Sequence, residues 1–223
     1  MQLYGFLASP YVARTLLASR WKGCGLELTP PHGGNLKSAG YLAINPLGKM
    51  PALEDGGRCL AESTVICEYI DETQPGRKLL PEAAMDRAQA RLVARMIDIY
   101  VVPNVGGLFR NANPATRNDA DVQTVLASLR KAVADLETFM GAGPWAGGAQ
   151  PGLADAIMAP TFWVLFELLP KFEVNDLFSG RPKLTRWYQA VEADPVSGPM
   201  HRDYLDALRK FLASPMPPAC GAA

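Results

Sequence analysis

Asn45-Pro46-Leu47-Gly48-Lys49-Met50-Pro51-Ala52-Leu53 is the stretch from which the rest of the chain can be placed. Proline fixes φ near −65° and has no N–H to donate, and it pushes the residue before it toward an extended conformation. Pro51 therefore opens a strand instead of lying within one. Met50 is extended, and the Met50-Pro51 bond can be cis at modest cost. An extended Met50 in such a turn points its N–H and C=O outward, free to pair with an extended peptide. The plain alternative is a tight loop leading into a strand.

Upstream, Leu3 to Leu7 is a short apolar run that suits a buried strand. A helix is expected from Tyr11 to Trp21, with Val12, Leu16 and Leu17 on its apolar face. Ser9 is placed to cap it, Pro10 fits its first position, and Lys22-Gly23 fits its end. Leu26 to Thr29 alternates as a second strand. Pro30 to Gly40 reads as a loop, with one helical turn near Lys37 to Leu42. Downstream, Asp55-Gly56-Gly57 joins Pro51 to Glu54 and Arg58 to Ala61 as a hairpin. Ser63 to Glu72 is a helix with Val65, Ile66, Tyr69 and Ile70 on one side. This order gives a small α/β domain with a mixed sheet over residues 1–80, with a linker around Gln74 to Pro81.

Residues 81–223 carry no convincing strand and read as an all-helical domain. The expected helices are Asp86 to Val102, with Leu92, Met96, Ile99 and Tyr100 as apolar stripe, then one begun by Asn118 and carried by Val122 to Phe139 or Met140. Leu153 to Leu169, Lys183 to Ala193 and His201 to Leu212 complete the set. Pro103 should end or kink the first. Leu153 to Leu169 is apolar nearly all round and should be central. The tail from Ser214 should be frayed.

The chain has 223 residues, 48% hydrophobic and 20% charged, and 22 basic against 22 acidic residues give no net charge. That balance is globular and draws the molecule toward neither nucleic acid nor an acidic membrane. Cys24, Cys59, Cys67 and Cys220 have no metal-type spacing and read as reduced thiols, with Cys59 and Cys67 buried. There is no signal-peptide pattern, and no apolar run reads as long enough to span a bilayer, so a cytoplasmic location without membrane partner is expected.

Ser9-Pro10-Tyr11-Val12-Ala13-Arg14, Asn45-Pro46, Lys49-Met50-Pro51 and the run from Glu62 to Glu72, in that order, resemble the cytosolic glutathione transferases. The likeness points to their serine-type classes, above all the tau-like and zeta-like branches. It covers nearly the whole chain and implies a thioredoxin-like first domain and a helical second one. It implies that Ser9 hydrogen-bonds the glutathione sulfur. Met50, before a cis Pro51, would pair with the cysteinyl part of glutathione, and Glu62 and Ser63 would take its γ-glutamyl end. Lys37 and Lys49 would take its glycine carboxylate. Tyr11, Tyr100, Phe109, Arg110, Trp163 and Phe166 are candidates for a second, apolar pocket. Read without the resemblance, Ser9 and Ser63 are helix caps, the lysines are solvated, and the aromatics are core.

The resemblance further implies glutathione as cosubstrate, no metal, and a homodimer, for which Glu68, Arg87, Arg91 and Arg95 are candidate contacts. Conjugation of glutathione to a small apolar electrophile, as in detoxification, is the leading reading. A maleylacetoacetate-type cis–trans isomerase ranks second, since its usual Ser-Ser-x-Cys is Ala8-Ser9-Pro10-Tyr11 here. A ligand-carrying module on the same fold is the non-enzymatic alternative. Thiol-reducing branches of the family carry cysteine at the Ser9 position, which speaks against that activity. Arg14 should make a structural ion pair. Asp155 should reach back to the N–H of Gly152, where the family usually has Ser or Thr.

Overall fold

The computed structural model describes residues 1–213, so the expected fraying from Ser214 lies outside the described residues. Strand β1 (Gln2–Tyr4) leads into α1 (Pro10–Lys22), β2 (Glu27–Thr29) and α2 (Ala39–Ile44). The hairpin β3 (Ala52–Asp55) and β4 (Arg58–Ala61) then precedes α3 (Ser63–Thr73). The sheet order is β2-β1-β3-β4. β1 runs parallel to β2 and antiparallel to β3, with Leu3 opposite both Leu28 and Leu53. It is a mixed sheet of the thioredoxin-like type. β1 is shorter than the Leu3 to Leu7 run because the chain leaves the sheet after Gly5, whose N–H still reaches the Thr29 carbonyl.

Beyond α3 the described elements are helices: α4 (Ala84–Met96), a π-helical segment (Ile97–Val101), α5 (Val102–Arg110), α6 (Asp119–Phe139), α7 (Leu153–Leu168), α8 (Pro182–Ala193) and α9 (Ser197–Ala213). Asn118 caps α6 by accepting from the Asp121 N–H. α7 is the centre of the molecule, with fourteen of its residues buried, from Leu153 through Leu165 and again at Leu168. The helical runs Ala84–Arg110 and Leu153–Phe172 do prove long and apolar enough to cross a membrane, contrary to the reading of the sequence. Their most apolar windows are 50% and 83% buried inside the molecule, as core helices are.

The α4 stripe also differs from expectation. Met96 is buried, but Leu92, Ile99 and Tyr100 are exposed, and Ala90, Val93, Ala94, Ile97 and Val101 are the buried positions. Small residues let α4 lie close against α7, and the wide π turn shifts the phase of the helix beyond it. That turn also admits Pro103 near the start of α5, so the helix runs on where proline would otherwise break it. On α3, Ile66, Cys67 and Ile70 face the core while Val65 is exposed. Cys59 lies exposed on the edge strand β4, against the expectation of burial. Burial pushes the Cys67 thiol up to about 12, so it is inert at neutral pH.

The two halves are joined by buried polar groups. Lys22 Nζ lies 2.9 Å from Asp71 Oδ1, both side chains being almost fully buried. Asp71 also accepts from the N–H groups of Leu79 and Leu80 in the linker. The Leu79 carbonyl accepts from Leu153 N–H at the start of α7. Arg14, itself buried, pairs with Asp98 of the π segment at 2.7 Å. Glu68 and Arg91 pair within the chain at 2.7 Å, and Arg87 holds the carbonyls of Pro81 and Glu82.

The glycine at position 152 has a local cause. A Cβ there would stand 2.5 Å from the Leu79 carbonyl oxygen, a backbone atom that cannot swing aside. Gly152→Ala should therefore cost about 1–3 kcal/mol of stability through overpacking. Chemical denaturation checks this; an unchanged midpoint would show that the linker yields freely.

Candidate active site

The turn of residues 45–51 is held from beneath. The Lys49 carbonyl accepts from Tyr41 Oη at 2.6 Å and from Asn45 Nδ2 at 2.7 Å, while Asn45 Oδ1 accepts from Leu47 N–H. Gly48, at φ 58°, allows the reversal; its position is crowded by Lys37 Nζ and the Leu36 carbonyl. The Met50-Pro51 peptide is cis. Among the described residues neither the N–H nor the C=O of Met50 has a hydrogen-bond partner. The strand-leading proline thus leaves Met50 with a free backbone edge.

Two clefts meet at this turn. The first, of about 290 Å³, is lined by Tyr11, Lys49, Met50, Pro51, Glu62 and Ser63, with Asn45 behind. Glu62, just before α3, has φ 67°, a left-handed conformation that costs a non-glycine residue about 1–3 kcal/mol and clusters at functional sites. Ser63 opens α3, so its hydroxyl and the first N–H groups of the helix sit where an anion is favoured. No side chain caps that end.

The second cleft, of about 420 Å³, is walled by Phe6, Leu36, Phe109, Leu208 and Phe211. Ser9, Tyr11, Lys49 and Met50 form the side it shares with the first cleft's turn. Ser9 stands at the N-terminus of α1 and its carbonyl begins the helix, but its hydroxyl makes no capping hydrogen bond. Its side chain is therefore not committed to the cap that the sequence pattern offers it. It faces the positive end of a thirteen-residue helix.

Tyr11 lies between the clefts with the Arg14 guanidinium carbon 4.9 Å from its ring centroid. Burial raises its pKa above the ordinary tyrosine value, with Arg14 pulling the other way, so the phenol stays protonated near neutral pH. Asp98 joins the two helix starts, accepting from Arg14 at 2.7 Å and from Thr64 Oγ1 at 3.2 Å.

Of the residues singled out in the sequence, Ser9, Lys49, Met50, Pro51, Glu62 and Ser63 are brought together with Tyr11 and Phe109. Lys37 lines neither cleft; it leans on Gly48, one residue before Lys49. Tyr100 and Arg110 are exposed and outside both clefts. Trp163 is wholly buried, stacked on His201 at 4.9 Å, because α7 is central. Phe166 belongs to an aromatic cluster with Phe162, Phe178 and Tyr188. Phe6, Leu36, Leu208 and Phe211 were not singled out. Leu208 and Phe211 come from the far end of the described chain, where nothing local marks them. Among the described residues no group of His, Cys, Asp or Glu is arranged to hold a metal ion.

A family model described as the N-terminal domain of glutathione S-transferase matches residues 3–78, and one for the C-terminal domain matches residues 82–190. Glutathione S-transferase omega-1 of Sus scrofa is 30% identical over 214 residues, covering 95% of this chain and 84% of that protein. Maleylacetoacetate isomerase of Pseudomonas aeruginosa is 29% identical over 208 residues, covering 87% of this chain and 98% of that protein. Among solved structures, the tau-class glutathione S-transferase of mango, Mangifera indica, superposes with a TM-score of 0.79 at 25% identity, over 95% of this chain and 98% of that one.

Proposed function

The chain belongs to the glutathione S-transferase family, and we propose that it activates the glutathione thiol through Ser9 and adds it to small apolar electrophiles. The observation that carries this reading is the uncommitted Ser9 hydroxyl at the helix terminus, on the wall of the apolar cleft. A free thiol with pKa near 8.5 is mostly protonated at neutral pH, and the thiolate is the nucleophile. A hydroxyl donor and the positive helix end both favour the anion.

In this reading glutathione lies along the first cleft. Met50 pairs with its cysteinyl backbone through the free N–H and C=O. Ser63 and the start of α3 take its γ-glutamyl carboxylate, and Glu62 its ammonium group. Lys49, with Lys37 beside it, takes the glycine carboxylate. The sulfur then faces Ser9 at the edge of the apolar cleft, where proximity to a bound electrophile does the rest. No metal enters this chemistry. Ser63→Ala should weaken glutathione binding about tenfold, the worth of one charge-assisted hydrogen bond. Calorimetric titration checks this, and unchanged affinity would remove Ser63 from the site.

The decisive assay is conjugation itself: glutathione and an aryl or benzyl halide, with the thioether identified by mass spectrometry. Formation at least tenfold faster with wild type than with Ser9→Ala supports the reading; equal rates contradict it. Similarity to a maleylacetoacetate isomerase favours a second use of the same thiolate, reversible addition that isomerises a cis double bond. Glutathione recovered unchanged beside an isomerised product would identify it.

A homodimer fits the same reading. Met85, Leu92 and Ile99 recur every seventh residue along α4 and its π segment, and with Val65 of α3 they are exposed. A second copy covering that apolar face predicts a sedimentation mass of about twice 24.1 kDa. A cytoplasmic location accords with this function.

A further inference from the structure

We propose that the cavity between the linker and the start of α7 is a second binding site, and that it takes a small aromatic carboxylate. The inference goes beyond the transfer reaction and does not rest on it.

The cavity has a volume of about 460 Å³, more than either cleft at the turn of residues 45–51, and it shares no lining residue with them. Small-molecule sites run from about 300 to 1,000 Å³. One wall is the linker segment 77–82. The other is the loop and helix start at 149–155 with Gly147, and Ala90 of α4 completes the lining. Linker and loop are tied together here by Arg77 Nη1, which donates to the Pro151 carbonyl, and by Leu153 N–H, which donates to the Leu79 carbonyl.

The polar end of the cavity carries charge without an acid partner. Arg77 is half-buried, and Lys78 beside it donates to the Asp71 carbonyl at 2.9 Å. Among the described residues neither cation makes a salt bridge, and Arg77 Nε and Nη2 have no acceptor. The carboxylates that act on Arg77 are Asp194, Asp155 and Asp71, and each is committed elsewhere. Asp194 accepts from Trp21 Nε1 and from the N–H groups of Val196 and Ser197. Asp155 holds Ala146, Gly152 and Trp187, and Asp71 is paired with Lys22. Burial lowers the Arg77 pKa in spite of their pull, as it does for a cation only partly compensated. Glu82, the other acid on the wall, is exposed. The positive end of α7, a sixteen-residue helix, lies on the same cavity.

The Nε–H and Nη2–H of a guanidinium are parallel donors spaced for the two oxygens of a carboxylate. Leu80, Pro81 and Ala90 offer apolar surface to the ring that carries it. A ligand so placed bridges the linker and α7, and as it binds only the folded chain it raises Tm.

The test is equilibrium dialysis of the full chain with 2-naphthoate and with its neutral analogue 2-naphthamide. Wild type should bind 2-naphthoate with Kd below about 1 mM, and the amide at least tenfold more weakly, the loss expected of a charge-assisted hydrogen bond. Gln150→Glu, at the exposed rim, adds a like charge and leaves the contacts of Arg77 in place; it should weaken binding about three- to tenfold. Arg77→Met should weaken it about 10- to 100-fold. Arg77→Met also releases the Pro151 carbonyl, so where it unfolds the chain Gln150→Glu alone decides. No binding at about 1 mM, equal binding of the amide, or an affinity that Gln150→Glu leaves unchanged overturns the proposal.

Discussion

Ser9→Ala should reduce kcat/KM for conjugation at neutral pH by about 10- to 100-fold, while glutathione affinity changes little. One hydrogen bond to an anion contributes about 1.5–3 kcal/mol, and a helix terminus adds about 0.3–1 kcal/mol. Together they can lower a thiol pKa by about 1–3 units. Alanine removes the first contribution and keeps the second, so a part of the activation should survive. Ser9→Thr restores the hydroxyl and should restore part of the rate. Raising the pH supplies thiolate without the enzyme's help, so the deficit of Ser9→Ala should shrink toward pH 9. Initial rates from pH 6 to pH 9 measure this. A deficit that stays constant with pH would mean that Ser9 acts on something other than thiol ionisation.

Asp155→Ala should be the most damaging single change to stability. Its carboxylate, wholly buried, accepts from the Gly152 N–H at 2.7 Å and from Ala146 N–H and Trp187 Nε1 at 2.8 Å each. Gly152 has no side-chain oxygen, so the reciprocal half of a capping box is missing, and Asp155 ties this helix start to the preceding loop and to α8. Alanine leaves three buried donors without acceptors, at about 1–3 kcal/mol each. A loss of about 4 kcal/mol is expected, or a Tm lower by about 10 °C. Thermal unfolding checks it, and a fall of less than about 3 °C would contradict the role given to Asp155.

The same carboxyl carries a pH signature. Burial pushes Asp155 up to about 6 against the pull of its donors, above the ordinary value of 3.8. Between those values the folded state holds the proton more firmly than the unfolded chain. Its contribution is therefore complete below about pH 4 and is lost as pH rises through about 6. Asp155→Asn cannot titrate. The stability of wild type relative to Asp155→Asn should thus be greater at pH 5 than at pH 7, measured by urea denaturation at both. Parallel pH profiles would contradict it.

How much of this was legible in the sequence depends on how local each signal is. The Ser9-Pro10 start of α1, the Met50-Pro51 strand entry, the Asp55 to Gly57 hairpin turn and the Asn118 cap all act within a few residues, and composition carries them. α7 was legible because a helix apolar all round has nowhere to lie but the centre. The α4 stripe was not. Large apolar residues on one face suggested burial there, but close approach to α7 selects the small residues Ala90 and Ala94 instead. The π turn at Ile97 then shifts the phase, and no periodicity marks it.

The cleft was half legible for a similar reason. Its polar side is built from short motifs in the first domain. Its apolar wall takes Leu208 and Phe211 from α9 and Phe6 from beyond β1, a meeting that only the tertiary fold creates. Trp163 lies in the core and Phe166 packs half-buried against it, since aromatic character does not reveal which face a central helix turns to the cleft. Likewise Lys22, a favourable charge at a helix end, proves to be paired with Asp71 in the interior. The partner is forty-nine residues away.

The most direct measurement is the pH titration of the ultraviolet thiolate absorbance of glutathione bound to wild type and to Ser9→Ala. The thiol pKa in wild type should fall at least one unit below its free value of about 8.5, and Ser9→Ala should return it most of the way. Bound glutathione titrating as it does free in solution, or an equally lowered pKa in Ser9→Ala, would contradict the assignment of thiol activation to Ser9.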